Sequence, residues 1–298
     1  MIPQHLLVGV DGSPESTAAA RWAAAEAVRR GLPLRVVHAQ TWLDRIHADP
    51  GQSADLRART GRLLADAEAE VRRAEPGLEV RAELLEGCGE PVDTLVEAAA
   101  DAQVLVLGSR GTGGFAGLMV GSVGLAVVGR TSVPTVLVRA GATRGAAEAG
   151  EAGEAGEARG EVVVGVGTRA PAEEVLEYAF EEAARRGAVL RAVHGWAPPP
   201  GYAGWVPLEA DTERFRAAEA ELLSEALAGW RQKYPEVAVV EDTRIGGAAA
   251  ALVEGSDGAA LVVVGRRRRP RLLSPRLGAV THAVLHHSHA AVAVVPHM

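Results

Sequence analysis

The sequence predicts an α/β protein of two tandem domains, each a doubly wound parallel sheet of five strands with helices on both faces. The first observation is length, because 298 residues are about twice the ~150 residues of a common single domain. The second is that short apolar runs alternate with helical patterns, as the strands and helices of a parallel sheet do. The third is that the whole alternation occurs twice.

The two halves of the chain carry the same sequence pattern. HLLVGVDGS begins at residue 5, and EVVVGVGTR begins at residue 161. Matching residues lie 156 positions apart at first and 157 positions apart later. The pairs are Gly9 with Gly165, Gly31 with Gly187 and His38 with His194, and then Leu95 with Leu252, Gly108 with Gly265 and Gly121 with Gly278. A single net insertion between His194 and Leu252 reconciles the two spacings, so we interpret the chain as a duplication.

The duplication divides the chain into a first domain of residues 1–140, a linker of residues 141–160 and a second domain of residues 161–298. The linker repeats Glu-Ala-Gly from Glu148 to Gly156, without proline and without an apolar stripe of helical period. Such a segment predicts a solvated, flexible connection.

The elements of the first copy follow one another in a regular order. Apolar runs predict buried strands at 6–10, 34–39, 78–85, 104–107 and 134–138. Helical patterns between them cover residues 14–31, about 53–74, 91–100 and about 118–128. Ser13 suits the N-cap of the first helix, Pro14 its first position and Gly31 its C-terminal end.

Charge and composition narrow the function. The formal net charge is −7, whereas nucleic acids and anionic membranes usually demand a basic surface. Cys88 is the one cysteine of the sequence, so no intrachain disulfide can form and a reducing compartment fits. Because the N-terminus also lacks a signal-peptide pattern, we expect a cytoplasmic protein. Residues 111–129 carry no charge, but their seven glycines favour a loop entering a buried helix over a membrane span.

A glycine-rich motif follows the fourth predicted strand. Gly108-Ser109-Arg110-Gly111 is separated by nine residues from Gly121-Ser122, which opens a helix. Glycines let backbone N–H groups approach phosphate oxygens, and a helix N-terminus directs free N–H groups and a positive dipole end at the same anion. Ser122 can add a hydroxyl donor and Arg110 a positive charge. The motif therefore predicts a phosphate-binding loop.

Asp11, at the carboxyl end of the first strand, completes the pattern as an acceptor for a ribose or a base. Together these residues resemble the universal stress protein family, of the tandem kind. The nucleotide-binding members of that family share Gly, two residues, Gly, nine residues, Gly and Ser or Thr. The family counterpart of Asp11 contacts the adenine-ribose portion of the ligand.

The resemblance implies a Rossmann-like sheet of the adenine nucleotide alpha hydrolase-like kind, with strand order 3-2-1-4-5. It implies ATP as the ligand, with or without Mg²⁺. The nucleotide-binding residues that it implies are Gly9, Asp11, Ala39, Leu107, Gly108, Arg110, Gly111, Gly121, Ser122 and Val123. Ala39 stands where the family often has a larger aliphatic residue, so base packing is expected to be looser here.

The second copy has lost parts of this site. Gly167 replaces Asp11, Arg268 replaces Gly111 and Ala279 replaces Ser122, so we expect weak or absent ATP binding there. The arginine run from Arg266 to Arg269 either holds an anion or is a solvated basic loop. We favour the solvated loop, because no aromatic residues interleave with the arginines to stack bases.

Histidines and the cysteine have plain interpretations as well as functional ones. His282 and His286 are spaced to share a metal ion on one helix face, but a partly exposed helix face is favoured. His38 and His194 end equivalent strands, where packed, hydrogen-bonded histidines are expected. Cys88 is expected to be a small loop residue without special reactivity.

Three functions remain open at this point. The first is an adenine-nucleotide-binding stress or signalling protein without efficient turnover, the second a slow ATP-hydrolysing enzyme, and the third a partner-binding module with a vestigial site. The sequence lacks a Gly-x-x-x-x-Gly-Lys-Ser/Thr motif and paired carboxylates beside the glycine loop, which favours the first. The resemblance further implies that the last strands pair, giving an intrachain pseudo-dimer of the two domains and leaving a homodimer of whole chains open.

Overall fold

The computed structural model describes residues 5–40, 50–85, 90–111, 119–141, 160–197, 209–268 and 277–298. These residues fall into two compact units, and those up to 141 belong to the first while those from 160 onward belong to the second. Within this part of the chain, no helix is long and apolar enough to cross a membrane.

The first unit is a parallel sheet with alternating helices. Its described strands lie in the order β3-β2-β1-β4-β5. The strands are β1 (Leu6–Gly9), β2 (Leu34–Ala39), β3 (Val80–Leu85), β4 (Val104–Gly108) and β5 (Thr135–Val138). The helices are α1 (Pro14–Arg30), α2 (Pro50–Ala74), α3 (Pro91–Ala98) and α4 (Ser122–Arg130). This confirms the predicted fold class and strand order.

The second unit repeats the arrangement, with the strand order β8-β7-β6-β9-β10. Its strands are β6 (Val162–Gly165), β7 (Leu190–Trp196), β8 (Val239–Ile245), β9 (Leu261–Arg267) and β10 (Ala291–His297). Its helices are α5 (Glu173–Arg186), α6 (Glu209–Lys233), α7 (Ala248–Gly255) and α8 (Ala279–His287). Numbered within the unit, this is again the order 3-2-1-4-5.

The central strands β1, β4 and β6 are apolar and almost entirely buried, as strands covered on both faces are, whereas the edge strands β3 and β8 carry charged residues. Leu6, Leu7 and Val8 are all fully buried, where a sheet with one wet face would show alternation. In α1 the buried side is largely alanine, which allows the helix to approach the sheet closely. The second unit adds aromatic packing, with Phe180 stacked against Trp230 at a ring-centroid distance of 5.9 Å.

The ends of α1 follow the predicted signals. The Ser16 N–H donates to Ser13 Oγ at 3.1 Å, which makes Ser13 the N-cap. Gly31 adopts a left-handed conformation with φ of +63°, a region that favours glycine at a helix end. The helical pattern places the start of α4 near residue 118, which is too early, whereas the motif places it at Gly121-Ser122, which the structure confirms. The helix begins at Ser122, because Gly121 is still extended at φ −77° and ψ 157°.

Each unit contains a buried carboxylate on its first helix. Glu26 is fully buried and accepts from Arg30 Nε at 2.7 Å. Its equivalent, Glu182, is also fully buried and accepts from Arg186 Nη2 at 2.9 Å. A buried carboxylate is tolerated because paired guanidinium groups satisfy its oxygens.

Strand pairing refines the predicted insertion. Leu34 pairs with Val80, and Leu190 pairs with Val239, so the third strands of the two units are 159 residues apart. The spacing between equivalent residues thus rises from 156 to 159 before β8 and falls to 157 after it. The second copy has therefore gained three residues before β8 and lost two after it. As a result, Ile245 and Ala248 bound a connection between β8 and α7 that is shorter than its counterpart in the first unit.

The structure confirms the packed histidines. Ring Nδ1 of His38 lies 2.7 Å from the Val10 carbonyl, and that of His194 lies 2.9 Å from the Val166 carbonyl. His282 and His286 stack at a centroid distance of 4.4 Å, and no three potential ligands from His, Cys, Asp and Glu cluster among the described residues. Cys88 lies outside the described residues.

Candidate functional site

A cavity of about 530 Å³ lies in the first unit, at the carboxyl edge of its sheet. All ten residues predicted to bind a nucleotide line its wall: Gly9, Asp11, Ala39, Leu107, Gly108, Arg110, Gly111, Gly121, Ser122 and Val123. The other described residues on the wall are Val10, Ser16, Val37, His38, Pro91, Leu95, Ser109, Val120 and Gly124. The structure thus brings the predicted residues together, while their binding role stays a prediction.

The strand order arranges the cavity wall by chemistry. Ala39 ends β2, Asp11 follows β1, and Gly108 ends β4, and these strands are neighbours in that order. The β2 side is mostly apolar, with Val37 and Ala39 beside His38, and Leu95 of α3 also lines it. The β4 side presents the glycine loop and the start of α4. The cavity therefore runs from an apolar region, past a carboxylate, to a region rich in backbone amides.

Two glycines of the motif approach other atoms closely, Gly108 the backbone of α1 and Gly111 the end of the Asp11 side chain. A Cβ on Gly108 would lie 2.8 Å from backbone atoms of Glu15 and Ser16, closer than real Cβ atoms come. A Cβ on Gly111 would collide with Asp11 Oδ2. Gly121 differs, because its nearest atom would be Arg110 Cα at 3.5 Å, an ordinary contact.

The backbone closes the base of the glycine loop. The Gly121 N–H donates to the Ser109 carbonyl at 2.7 Å, and the Ser109 N–H donates to the Val138 carbonyl at 2.7 Å. The first intrahelical bond of α4 runs from the Leu125 N–H to the Gly121 carbonyl at 3.1 Å. The three amides that precede Leu125 in this helix therefore lie outside its hydrogen-bond ladder, beside the cavity.

Ser13 orients the Asp11 carboxylate, whereas the sequence predicted it only as the N-cap of α1. Asp11 Oδ1 accepts from the Ser13 N–H at 3.0 Å and lies 2.6 Å from Ser13 Oγ. Ser13 Oγ is also 3.3 Å from the Arg110 carbonyl. The Asp-Gly-Ser sequence carried a signal for this turn, because Asp side chains often bond to the backbone two residues on.

Two charged neighbours of Arg110 were also missed. Its Nε and Nη2 donate to Glu15 Oε1 at 3.1 and 2.8 Å. Burial, followed by the charge of Arg110, lowers the pKa of the Arg139 guanidinium, which therefore stands close by. Arg139 follows β5, and its Nη1 lies 3.9 Å from Met119 Sδ at the entrance to α4. The sequence showed that Glu15 lies in the first turn of α1, but it did not show that Glu15 pairs with Arg110.

In the second unit the backbone takes a different course at the equivalent position. The first unit leaves the β4–β5 ladder after Gly108, which pairs with Val138. The β9–β10 ladder continues past the equivalent glycine, with Arg266 opposite Pro296. Residues 109 and 110, which follow β4 in the first unit, thus correspond to Arg266 and Arg267, which lie within β9 in the second unit. The prediction of a solvated loop is wrong for Arg266, which is 7% exposed within β9, while Arg269 lies outside the described residues.

In the second unit, helix α7 packs closely against strand β7. A Cβ on Gly195 of β7 would lie 2.6 Å from Ala248 Cα, so α7 rests directly on the strand. The equivalent residue in the first unit is Ala39, whose side chain faces the cavity. The shorter connection before α7 accompanies this closer packing.

A separate groove of about 720 Å³ occurs in the second unit. Trp230, Lys233, Arg267 and Glu177 are among its lining residues. Lys233 Nζ donates to Glu177 Oε1 at 2.6 Å and lies over the Trp230 ring at 5.0 Å. Arg267, the equivalent of Arg110, therefore faces different surroundings from its counterpart.

Comparison with known proteins follows the same division of the chain. The model of the Universal stress protein family matches residues 3–139 and again residues 159–296. A universal stress protein of Mycobacterium tuberculosis is 35% identical over 306 residues, covering 98% of this chain and 97% of the relative.

Two solved structures of universal stress proteins resemble this chain to different extents. The crystal structure of a universal stress protein from Archaeoglobus fulgidus covers 99% of both chains with a TM-score of 0.69 at 17% identity, which shows the same fold. Another from Archaeoglobus fulgidus, solved in complex with dAMP, covers 46% of this chain and 99% of its own, with 27% identity and a TM-score of 0.36. The chain belongs to the universal stress protein family and carries the family's domain twice in tandem.

Proposed function

We propose that the first domain binds an adenine nucleotide, ATP, and that the chain is a nucleotide-responsive stress or signalling module without efficient turnover. One observation carries the proposal: the ten predicted residues, distant in sequence, line one cavity at the carboxyl edge of the first sheet. This edge is where ligands bind in open α/β sheets. A volume of about 530 Å³ is also within the usual range for small-molecule sites.

The order of apolar, acidic and amide-rich regions along the cavity wall fits a nucleotide. The apolar side, with Ala39, Leu95 and Leu107, suits an adenine base. Asp11 in the middle suits ribose hydroxyls, because a carboxylate accepts their hydrogen bonds. The amides of the glycine loop and of the α4 N-terminus suit phosphates.

The wall favours binding over catalysis. Among the described lining residues Asp11 is the one carboxylate, and its Oδ1 already accepts from Ser13. A Mg²⁺ ion that accompanies the phosphates would be held mainly by phosphate oxygens and water, because Mg²⁺ usually keeps several of its waters and Asp11 is assigned to the ribose. Bound Mg²⁺ would offset the phosphate charge. A second carboxylate for activating water is not found among these residues, which makes the slow ATPase the second candidate.

The second domain is proposed to bind ATP weakly or not at all. Arg266 and Arg267, which correspond to residues 109 and 110 of the glycine loop, lie in β9, and α7 lies against β7 where the first domain has its cavity wall. The domain boundaries at 140 and 161, the cytoplasmic location, the intrachain pseudo-dimer and a homodimer of chains remain part of the proposal. A mass of twice 30.9 kDa by light scattering would support the homodimer.

Titration calorimetry with ATP on nucleotide-stripped protein tests the proposal. We expect one site per chain, and loss of binding in Asp11→Ala and Gly111→Ala. Gly167→Ala is the matched control, because Gly167 is the equivalent of Asp11 and a Cβ there meets its nearest atom at 4.0 Å. This variant should bind like the wild type.

Other outcomes separate the alternatives. No ATP binding by stripped wild-type protein would leave a partner-binding module with a vestigial site. Phosphate release from bound ATP that disappears in Asp11→Ala would favour the slow enzyme. Two equal sites per chain would contradict the assignment of a degenerate second domain.

A further inference from the structure

We propose that Glu15 is a positioning residue that makes the site sensitive to the number of phosphates on its ligand. It holds the Arg110 guanidinium until a ligand with a longer phosphate chain competes for it. This inference rests on the proposed nucleotide binding of the first domain.

The guanidinium lies between a buried acid and the cavity. The Glu15 side chain is 10% exposed, whereas that of Arg110 is 41% exposed. Arg110 belongs to the cavity wall, and both of its donors to Glu15 end on a single oxygen, Oε1. Arg110 can therefore turn toward the cavity while the carboxylate stays in place.

The backbone around the pair is held on both sides. Glu15 lies in the first turn of α1, and a Cβ on Gly108 would meet its backbone at 2.8 Å, so helix and loop are in close contact. Ser13 Oγ lies 3.3 Å from the Arg110 carbonyl. The element free to move is the Arg110 side chain, since its backbone is fixed against α1.

The charges at this end of the cavity explain the dependence on phosphate number. Burial, followed by the charge of Arg110, lowers the pKa of the Arg139 guanidinium. Glu15 offsets the positive charge of Arg110. A single phosphate can be held by loop amides, whereas additional phosphates gain most from recruiting Arg110 away from Glu15. Because one partner is well exposed, the ion pair is weak enough to be exchanged.

The second domain provides an internal comparison. The residue equivalent to Glu15 is Pro171, and Arg267, equivalent to Arg110, is exposed in a different groove. Each copy forms a sheet with the strand order 3-2-1-4-5, so the fold does not require the Glu15–Arg110 pair. The pair occurs in the domain where the glycine loop is intact.

Calorimetric titrations with AMP, ADP and ATP at constant salt test the inference. The proteins are wild type, Glu15→Gln, Arg110→Gln and the double variant, each checked for an unchanged melting profile before titration. We expect Glu15→Gln to tighten ATP by roughly two- to fivefold, the worth of a partly exposed ion pair, and to leave AMP unchanged. In the Arg110→Gln background, Glu15→Gln should have no effect.

The possible results separate the role of Glu15 from nucleotide binding by the first domain. If Glu15→Gln changed the affinities for AMP and ATP equally, Glu15 would not make binding depend on the number of phosphates. An equal gain in ATP affinity from Glu15→Gln in the Arg110→Gln background would also overturn the proposal. In both cases nucleotide binding itself would stand. Failure of stripped wild-type protein to bind any of the three nucleotides would overturn both.

Discussion

Gly108 and Gly121 belong to one motif but have different surroundings. A Cβ on Gly108 would press on the backbone of α1, whereas a Cβ on Gly121 would find ordinary contacts. We expect Gly108→Ala to lower the free energy of unfolding by about 1–3 kcal/mol, because overpacked backbone has to move. Gly121→Ala should lower it less, by about 0.5 kcal/mol, because alanine is a poorer N-cap of α4 than glycine. Urea denaturation followed by circular dichroism measures both, and equal losses would contradict this reading of the loop.

The same residues show what a motif can and cannot predict. The spacing of Gly108, Gly111 and Gly121 was enough to find the cavity wall, because backbone approach to an anion imposes a local pattern. The Glu15–Arg110 pair was not predictable, since it joins residues 95 positions apart and depends on how α1 packs against β4. Contacts of this kind leave no periodic trace in the sequence.

At the scale of single elements, α7 marks the divergence of the two domains. Gly195 lets this helix lie on β7, with Ala248 Cα 2.6 Å from where a Cβ would stand. We expect Gly195→Ala to destabilise the second domain by about 1–3 kcal/mol, because backbone meets backbone at that contact. Gly247→Ala is the matched control in the neighbouring connection, where a Cβ has open space.

Guanidinium denaturation of the full chain measures this difference. Hydrogen exchange of α7 then tests its location, because a displaced helix loses protection. Equal stability of the Gly195→Ala and Gly247→Ala variants would show that α7 is free to shift, contrary to the packing described above.

Elements were predictable to the extent that they depend on local pattern. Apolar runs located the strands, and Ser13 and Gly31 bounded α1 correctly. The sequence did not reveal that the Arg266 region continues β9, because an arginine run is typical of a solvated loop. Tertiary pairing with β10 overrides that tendency by giving the backbone a ladder partner. The paired changes in length around β8 were also hidden, since they nearly cancel.

For the whole molecule, the asymmetry predicts a response confined to one domain. At an ATP concentration of 100 times the dissociation constant, one site stabilises the domain that holds it by about 2.7 kcal/mol, or roughly 10 °C in melting temperature. Hydrogen exchange should show the added protection in peptides from residues 5–141 and unchanged rates in peptides from 160–298. Equal protection in peptides that contain Arg266 would contradict the assignment.

The continuation of β9 through Arg267 has a consequence for the shape of a binding curve. A duplicated protein with two working sites can respond steeply to its ligand, because occupation of one copy can favour the other. With the one nucleotide site proposed for the first domain, a single chain has no second site and therefore no homotropic cooperativity. Its saturation curve should therefore have a Hill coefficient of one, and a steeper curve would have to arise between chains.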